Sequence, residues 1–221
     1  MADAIALDGL ERRYGDRTVL AGLTLRLPEG ATLAVLGANG AGKTTLLRVL
    51  ATLLRPHGGG AEVLGSSLPG DAWAVRGRIG LLGHEPLLYP RLSGRENLRL
   101  HSRLHGLPAA RIEEVLDAVG LRERADDPVD ELSRGMVQRL AAARAVLHDP
   151  ELLLLDEPRA GLDPAAAEQL EPLIGRSSNR TRVLVTHDVE RGLAEADLAI
   201  GLRDGRGRVV TDAATARELY R

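Results

Sequence analysis

The octet Gly37-Ala38-Asn39-Gly40-Ala41-Gly42-Lys43-Thr44 sets small residues around one cation and one hydroxyl, with Thr45 following. This is the phosphate-binding loop pattern, and it has an apolar strand pattern before it and a helical pattern after it. Glycines let backbone N–H groups curl around phosphate oxygens, and the helix N-terminus adds partial positive charge. Lys43 is expected to reach the β- and γ-phosphates, and the Thr44 hydroxyl to sit on Mg2+. A Gly-rich turn before a core helix is the plainer use of such a segment. Against it, Lys43 is the only lysine among 29 basic residues, and a compact ammonium does here what a planar guanidinium cannot.

A second constellation is Leu152-Leu153-Leu154-Leu155-Asp156-Glu157-Pro158. A buried strand ending in Asp places a carboxylate beside the metal of a phosphate loop. Asp156 is thus expected to hold Mg2+ through water, and Glu157, pointing elsewhere, to polarise the attacking water as general base. Two acids ending a strand at a helix start would be the alternative.

The elements that must position these groups alternate apolar strands with helical patterns, which argues for a mostly parallel α/β sheet. Strands are expected at Thr32–Leu36, Arg78–Leu82, Leu152–Asp156, Arg182–Thr186 and Leu198–Arg203. Ala4–Leu10 and Thr18–Leu27, joined at Gly15-Asp16, read as an antiparallel layer ahead of that core. Helical spacing runs from Lys43 to Leu54, with Leu46, Leu47, Leu50, Leu53 and Leu54 on one side. From Gly94 to His148 the strand signal disappears, and Gly94–His105, Ala109–Val119 and Gly135–His148 read as helices.

Leu132-Ser133-Arg134-Gly135-Met136-Val137-Gln138-Arg139 opens the last of these helices, where Ser133 alone is a simple N-cap. The three motifs in this order resemble the ATP-binding cassette family, the ATPase subunits of ABC transporters, over essentially the whole chain. In that family Leu-Ser-Gly-Gly-Gln binds the γ-phosphate held by the opposite subunit. Ser133 and Gly135 match it, and Arg134 and Met136 stand where Gly and Gln are usual. Leu92-Ser93-Gly94 is a decoy, taken to lack a helix start and to lie far from the acidic strand.

The resemblance implies an α/β P-loop NTPase cassette: a RecA-like parallel-sheet core, an antiparallel β-layer and an inserted helical subdomain. All of 1–221 would be one ATP-binding domain, with a core lobe of 1–84 and 150–221 and a helical subdomain of about 85–149. Asp163, in Gly161-Leu162-Asp163-Pro164, falls on the loop that crosses the dimer interface. His187 falls on the family's switch histidine. Tyr14 sits where the family stacks a ring on adenine, with plain packing of the β-layer as its other use. Ser133, Gly135 and Asp163 join Tyr14, His84, Gly37, Asn39, Gly40, Ala41, Gly42, Lys43, Thr44 and Thr45 in the expected nucleotide-binding set.

Where the family has a Gln after an apolar strand, this chain has His84, in Gly83-His84-Glu85-Pro86, with Glu85 as the alternative ligand for metal-bound water. A His here would bring pH sensitivity near its ordinary pKa of about 6.5. With Arg95-Glu96-Asn97-Leu98 and Arg103-Leu104-His105-Gly106, the Gly-His pair looks like the haem-exporter ATPase subunits of cytochrome c maturation. The resemblance therefore implies an ATP- and Mg2+-dependent hydrolase that works as a homodimer, drives a separate membrane permease and sits peripherally on the cytoplasmic face of the membrane. Export of haem is the expected task, and export of drugs, lipid or polysaccharide the alternative. A soluble cassette protein would be expected to carry two cassettes or a long insert, and a small-molecule kinase would have no use for Ser133 or Asp163.

Composition excludes much else. With 44 % hydrophobic and 27 % charged residues the chain can bury a core. No cysteine means no disulfide, thiol nucleophile, iron–sulfur cluster or thiolate zinc site. A net charge of −2 gives no global field to recruit nucleic acid, which is not an expected partner. The longest apolar runs fall far short of the ~20 residues of a membrane helix, and the N-terminus has no signal-peptide pattern.

Overall fold

The computed structural model describes residues 2–218. β1 (Asp3–Tyr14) and β2 (Arg17–Pro28) form a hairpin around the expected turn, longer at both ends than the alternation suggests. β3 (Thr32–Leu36) is buried at every residue and leads through the phosphate loop into α1 (Lys43–Leu50). β4 (Gly58–Val63) and β5 (Ser66–Ser67) complete an antiparallel sheet of order β2-β1-β4-β5. The run Gly58-Gly59-Gly60 carries no strand signal in sequence. It pairs because two backbones close up there: a Cβ on Gly59 would lie 2.1 Å from the Gly9 carbonyl.

After α2 (Ala72–Val75) and β6 (Ile79–Leu82) come three helices, α3 (Gly94–Leu104), α4 (Ala110–Ala118) and α5 (Arg134–Val146). The chain then runs through β7 (Leu152–Asp156), α6 (Pro164–Ile174), β8 (Thr181–Val185), α7 (Val189–Glu195), β9 (Leu198–Arg203), β10 (Arg206–Val209) and α8 (Ala213–Glu218). The second sheet has the order β10-β9-β3-β8-β7-β6 and is parallel except for β10. The expected α/β architecture is the one the chain adopts. Parallel strands with both faces covered are continuous apolar runs. Leu152 and Leu154 face α1 and the antiparallel sheet, whereas Leu153 and Leu155 face α5 and its neighbours.

Three expectations need correction. α1 stops at Leu50, not Leu54, because Thr52 turns to φ 61° and ends the helical path. Leu46, Leu47 and Leu50 are buried, but Leu53 is 61 % exposed. The Leu92-Ser93-Gly94 segment does start a helix: the Ser93 hydroxyl accepts from the Glu96 amide and the Glu96 carboxylate from the Ser93 amide, a full capping box. Strand β8 lies one residue earlier than expected at both ends, and its Arg182 is 1 % exposed.

Where α3 meets the end of α5, three histidines gather. His105 and His148 stack at 4.1 Å, and a ring nitrogen of His148 lies 3.0 Å from the Ile79 carbonyl. Burial pulls His101 and His148 each down to about 4, helped by the neighbouring Arg144 and His105. Arg144, itself lowered to about 10 by burial, donates to the Leu81 carbonyl. Among the described residues, no helix is long and apolar enough to cross a membrane.

Candidate active site

Because β3, β6, β7 and β8 are parallel, their C-terminal ends open on one edge of the sheet. A cleft of about 880 Å3 lies there, lined by Tyr14, Gly37, Asn39, Gly40, Gly42, Lys43, Thr44, Thr45, His84, Asp156, Glu157 and His187. These were singled out from five separate stretches of sequence, and folding brings them together.

The loop after β3 can only be glycine at its first position. Gly37 has φ 139°, and a Cβ there would sit 2.4 Å from the Leu202 carbonyl oxygen. Gly42 is the N-cap of α1 and supplies no side-chain partner to the first-turn amides. Those amides and the helix dipole together suit an anion. Lys43 arches back over the loop and donates to the carbonyls of Gly37 at 2.6 Å and Ala38 at 2.9 Å. An ammonium has three protons, so one is left for a ligand. Burial lowers the Lys43 pKa, while Asp156 and Glu157 oppose that shift.

The Thr44 hydroxyl donates to Asp156 Oδ2 at 3.0 Å and ties α1 to the end of β7. Asp156 is 6 % exposed. No group of three His, Cys, Asp or Glu able to hold a metal exists among the described residues. A hydroxyl and a carboxylate are nonetheless hard oxygen donors of the type that Mg2+ shares with phosphate oxygens and water. The residues present therefore fit that ion.

Glu157 leaves the strand at φ 51°, a left-handed conformation costing roughly 1–3 kcal/mol in a non-glycine residue. Its amide donates to the Val185 carbonyl at 2.9 Å, which pins the turn against β8. Its carboxylate is 2.9 Å from His187 Nδ1 and accepts from the Thr186 hydroxyl at 3.4 Å. His187 is 81 % exposed, so one face of this pair is open to the cleft. Tyr14 closes the far end, with the Arg12 guanidinium 4.9 Å over its ring.

His84 lies two residues past β6, on the wall facing α1. It also lines a second cavity of about 460 Å3, formed with Leu47, Leu53, Leu54, Leu81, Leu87 and others. Glu85 lines that second cavity but not the cleft.

Four expected residues lie outside the cleft. Ala41 faces the outer side of its loop, toward Leu202 and Arg203. The Ser133 hydroxyl caps α5 by accepting from Met136 N at 3.3 Å. The Asp163 carboxylate caps α6 by accepting from Ala166 N at 2.8 Å. A Cβ on Gly135 would come within 3.5 Å of the Gly161 carbonyl, so these last segments adjoin one another. Arg17, Val19 and Ala38, not singled out from sequence, also line the cleft. The signal for Arg17 is the hairpin itself: a two-residue turn at Gly15-Asp16 sets it opposite Tyr14.

A family model described as "ABC transporter" matches residues 20–160. The chain is 45 % identical to a daunorubicin resistance ATP-binding protein of Streptomyces coeruleorubidus, over 99 % of this chain and 71 % of that protein. It is 38 % identical to a Nod factor export ATP-binding protein of Ralstonia nicotianae, over 91 % and 65 %. It is 40 % identical to a phosphonates import ATP-binding protein of Anaeromyxobacter dehalogenans, over 91 % of this chain and only 44 % of that protein. A solved structure of an ATP-binding subunit of an ABC transporter superposes with a TM-score of 0.85 at 27 % identity, covering 98 % of this chain and 94 % of the other.

Proposed function

Because this chain belongs to the family of ABC transporter ATP-binding proteins, we propose that it is the ATP-hydrolysing motor of an exporter whose permease is a separate polypeptide. One observation carries the reading. Lys43, Thr44, Asp156, Glu157 and His187 converge on one cleft, while Ser133, Gly135 and Asp163 present a different surface of the same chain. Two copies packed head to tail would bring each surface onto the other's cleft and bury two ATP molecules.

In this reading Lys43 holds the β- and γ-phosphates, and Tyr14 stacks on the base. Mg2+, when bound beside Thr44 and Asp156, neutralises the triphosphate. Glu157 takes a proton from the attacking water through its carboxylate. His187 donates to that carboxylate, fixing its orientation, and stands next to the γ-phosphate. Only the closed dimer makes the Ser133 contacts, so loss of the γ-phosphate releases it. Segment 85–149 is the moving subdomain. His84, between cleft and second cavity, passes the movement to a permease at the cytoplasmic face of the membrane.

For cargo we favour a small organic molecule, supported by the drug-resistance relative at 45 % identity. Haem export is the second reading, favoured by Gly83-His84-Glu85-Pro86 and the position of His84 between the two cavities. The motor reading is tested with Glu157→Gln, sized by light scattering in ATP and Mg2+. A dimer is expected, and a monomer at saturating ATP overturns the head-to-tail arrangement. Pull-down from native membranes separates the cargoes: a lone exporter permease supports the first, and membrane proteins accompanied by a haem-binding chaperone support the second.

A further inference from the structure

Arg159 stands two residues past Glu157 and four before Asp163, and the phosphate chemistry does not use it. Its Nη2 pairs with Glu171 of α6 and lies 3.2 Å from Glu195 Oε1, on the last residue of α7. The other Glu195 oxygen is 3.2 Å from the Arg182 guanidinium. Arg182 also donates to the Thr32 hydroxyl at 3.2 and 3.1 Å and to the Ile174 carbonyl at 3.0 Å. An alternating chain of charges thus runs Glu171–Arg159–Glu195–Arg182, from the Glu157 loop into the middle of the six-stranded sheet. Arg182 is buried in β8, the strand that leads directly into Thr186 and His187.

The Glu157 loop is therefore fastened at both ends of α7. Glu157 meets His187 just before the helix starts, and Arg159 meets Glu195 where it stops, about 10 Å further along at 1.5 Å per residue. The start of the loop is also held by the Glu157 amide on the Val185 carbonyl and by Gln138 Nε2, which donates to the Pro158 carbonyl at 3.1 Å. The Arg159 pair adds the hold beyond Pro158, on the side that leads to Asp163. A partly open cavity of about 90 Å3, lined by Glu157, Arg159, Thr186 and Glu195 among others, adjoins this part of the loop, so close packing alone does not hold it. A planar guanidinium can serve two carboxylates at once in fixed geometry, which a lysine ammonium does less well.

We infer that Arg159 is a positioning residue for hydrolysis: held by Glu171 and Glu195, it sets the angle of the segment that carries Glu157 and Asp163. This rests on Glu157 being the general base. The test is steady-state ATP turnover of the full chain with Arg159→Met, Arg159→Lys, Glu195→Gln and the Met/Gln double variant, each checked by thermal melting, with Glu157→Gln alongside. A base displaced by about 1 Å loses up to ~100-fold in rate. Arg159→Met is expected to lower kcat ~10- to 100-fold with KM within about twofold, and Arg159→Lys to restore part of it. The double variant should be no slower than the slower single one, as for residues acting in one linkage. Wild-type kcat in Arg159→Met, or a KM that rises as kcat falls, overturns the inference. If Arg159→Met does not fold, the near-isosteric Glu195→Gln decides by the same kcat criterion. A dead Glu157→Gln beside an unaffected Arg159→Met leaves the general base standing and removes only the positioning role. An active Glu157→Gln removes both.

Discussion

Lys43 donates to two carbonyls of its own loop, so its charge is already aimed at the loop's centre before any ligand is considered. Replacing it by Ala removes the chain's one lysine and leaves the loop facing the carboxyl groups of Asp156 and Glu157 across the cleft, with the Arg17 guanidinium at its rim. Lys43→Ala is expected to lose ~100- to 1,000-fold in ATP turnover, the scale found for losing one preorganised donor to developing charge. Isotope-labelled phosphate release measures it, and near-wild-type activity would overturn the phosphate-site assignment. Glu157→Gln keeps the shape and the Thr186 contact but cannot take a proton. Turnover should fall at least as steeply while nucleotide binding, read by equilibrium dialysis, persists. That both residues lie in one cleft was legible in the sequence, because the loop and strand-end motifs place them at the C-terminal ends of parallel strands. The left-handed turn at Glu157 was not legible, since it comes from the hydrogen bond of its amide to Val185, a residue 28 positions away. Arg17 was hidden for a similar reason: only the strand register sets it beside Tyr14.

At the scale of elements, α3 and α5 meet through neutral imidazoles. The folded pKa of His101 and of His148 lies near 4, below the ordinary 6.5. A group depressed in this way binds its proton less well folded than unfolded. Stability is therefore unaffected above pH 6.5 and falls as the pH drops from about 6.5 towards about 4. Thermal melting across that range should show the loss, and His148→Asn should flatten the curve. A slope unchanged by that substitution would place the titration elsewhere. Helix ends explain which boundaries the sequence foretold. α5 follows the Ser133 cap and α3 starts at the expected Gly94, but the Ser93 capping box that starts α3 was not credited in the sequence. The stop of α1 was missed because no Gly or Pro marks it; Thr52 takes the positive φ instead. β4 was missed because its glycines are chosen for close approach to β1 and not for strand propensity.

At the scale of the molecule, Ser133 and Asp163 each cap a helix with the same oxygen that the dimer reading assigns to a partner's nucleotide. Ser133→Ala costs about 1 kcal/mol of α5 capping. Ser133→Arg in the Glu157→Gln background should abolish the ATP-dependent dimer while single-chain ATP binding survives. Light scattering reads the first and dialysis the second, and a persistent dimer would move the interface off this surface. The order of the six strands has a quieter consequence. Val35 and Asp156 are both in register with Val185, on opposite sides of β8. The backbones of β3, which leads into the phosphate loop, and of β7, which ends at Asp156, are thus two strand spacings apart, about 10 Å, whatever side chains surround them. The sheet acts as a gauge block for the triphosphate. The end of the cleft that the proposed reading gives to the base is set by a different sheet, through Tyr14 on β1. In that reading, preference for one nucleobase over another can drift in the antiparallel layer while the spacing between loop strand and acidic strand stays machined into the parallel one.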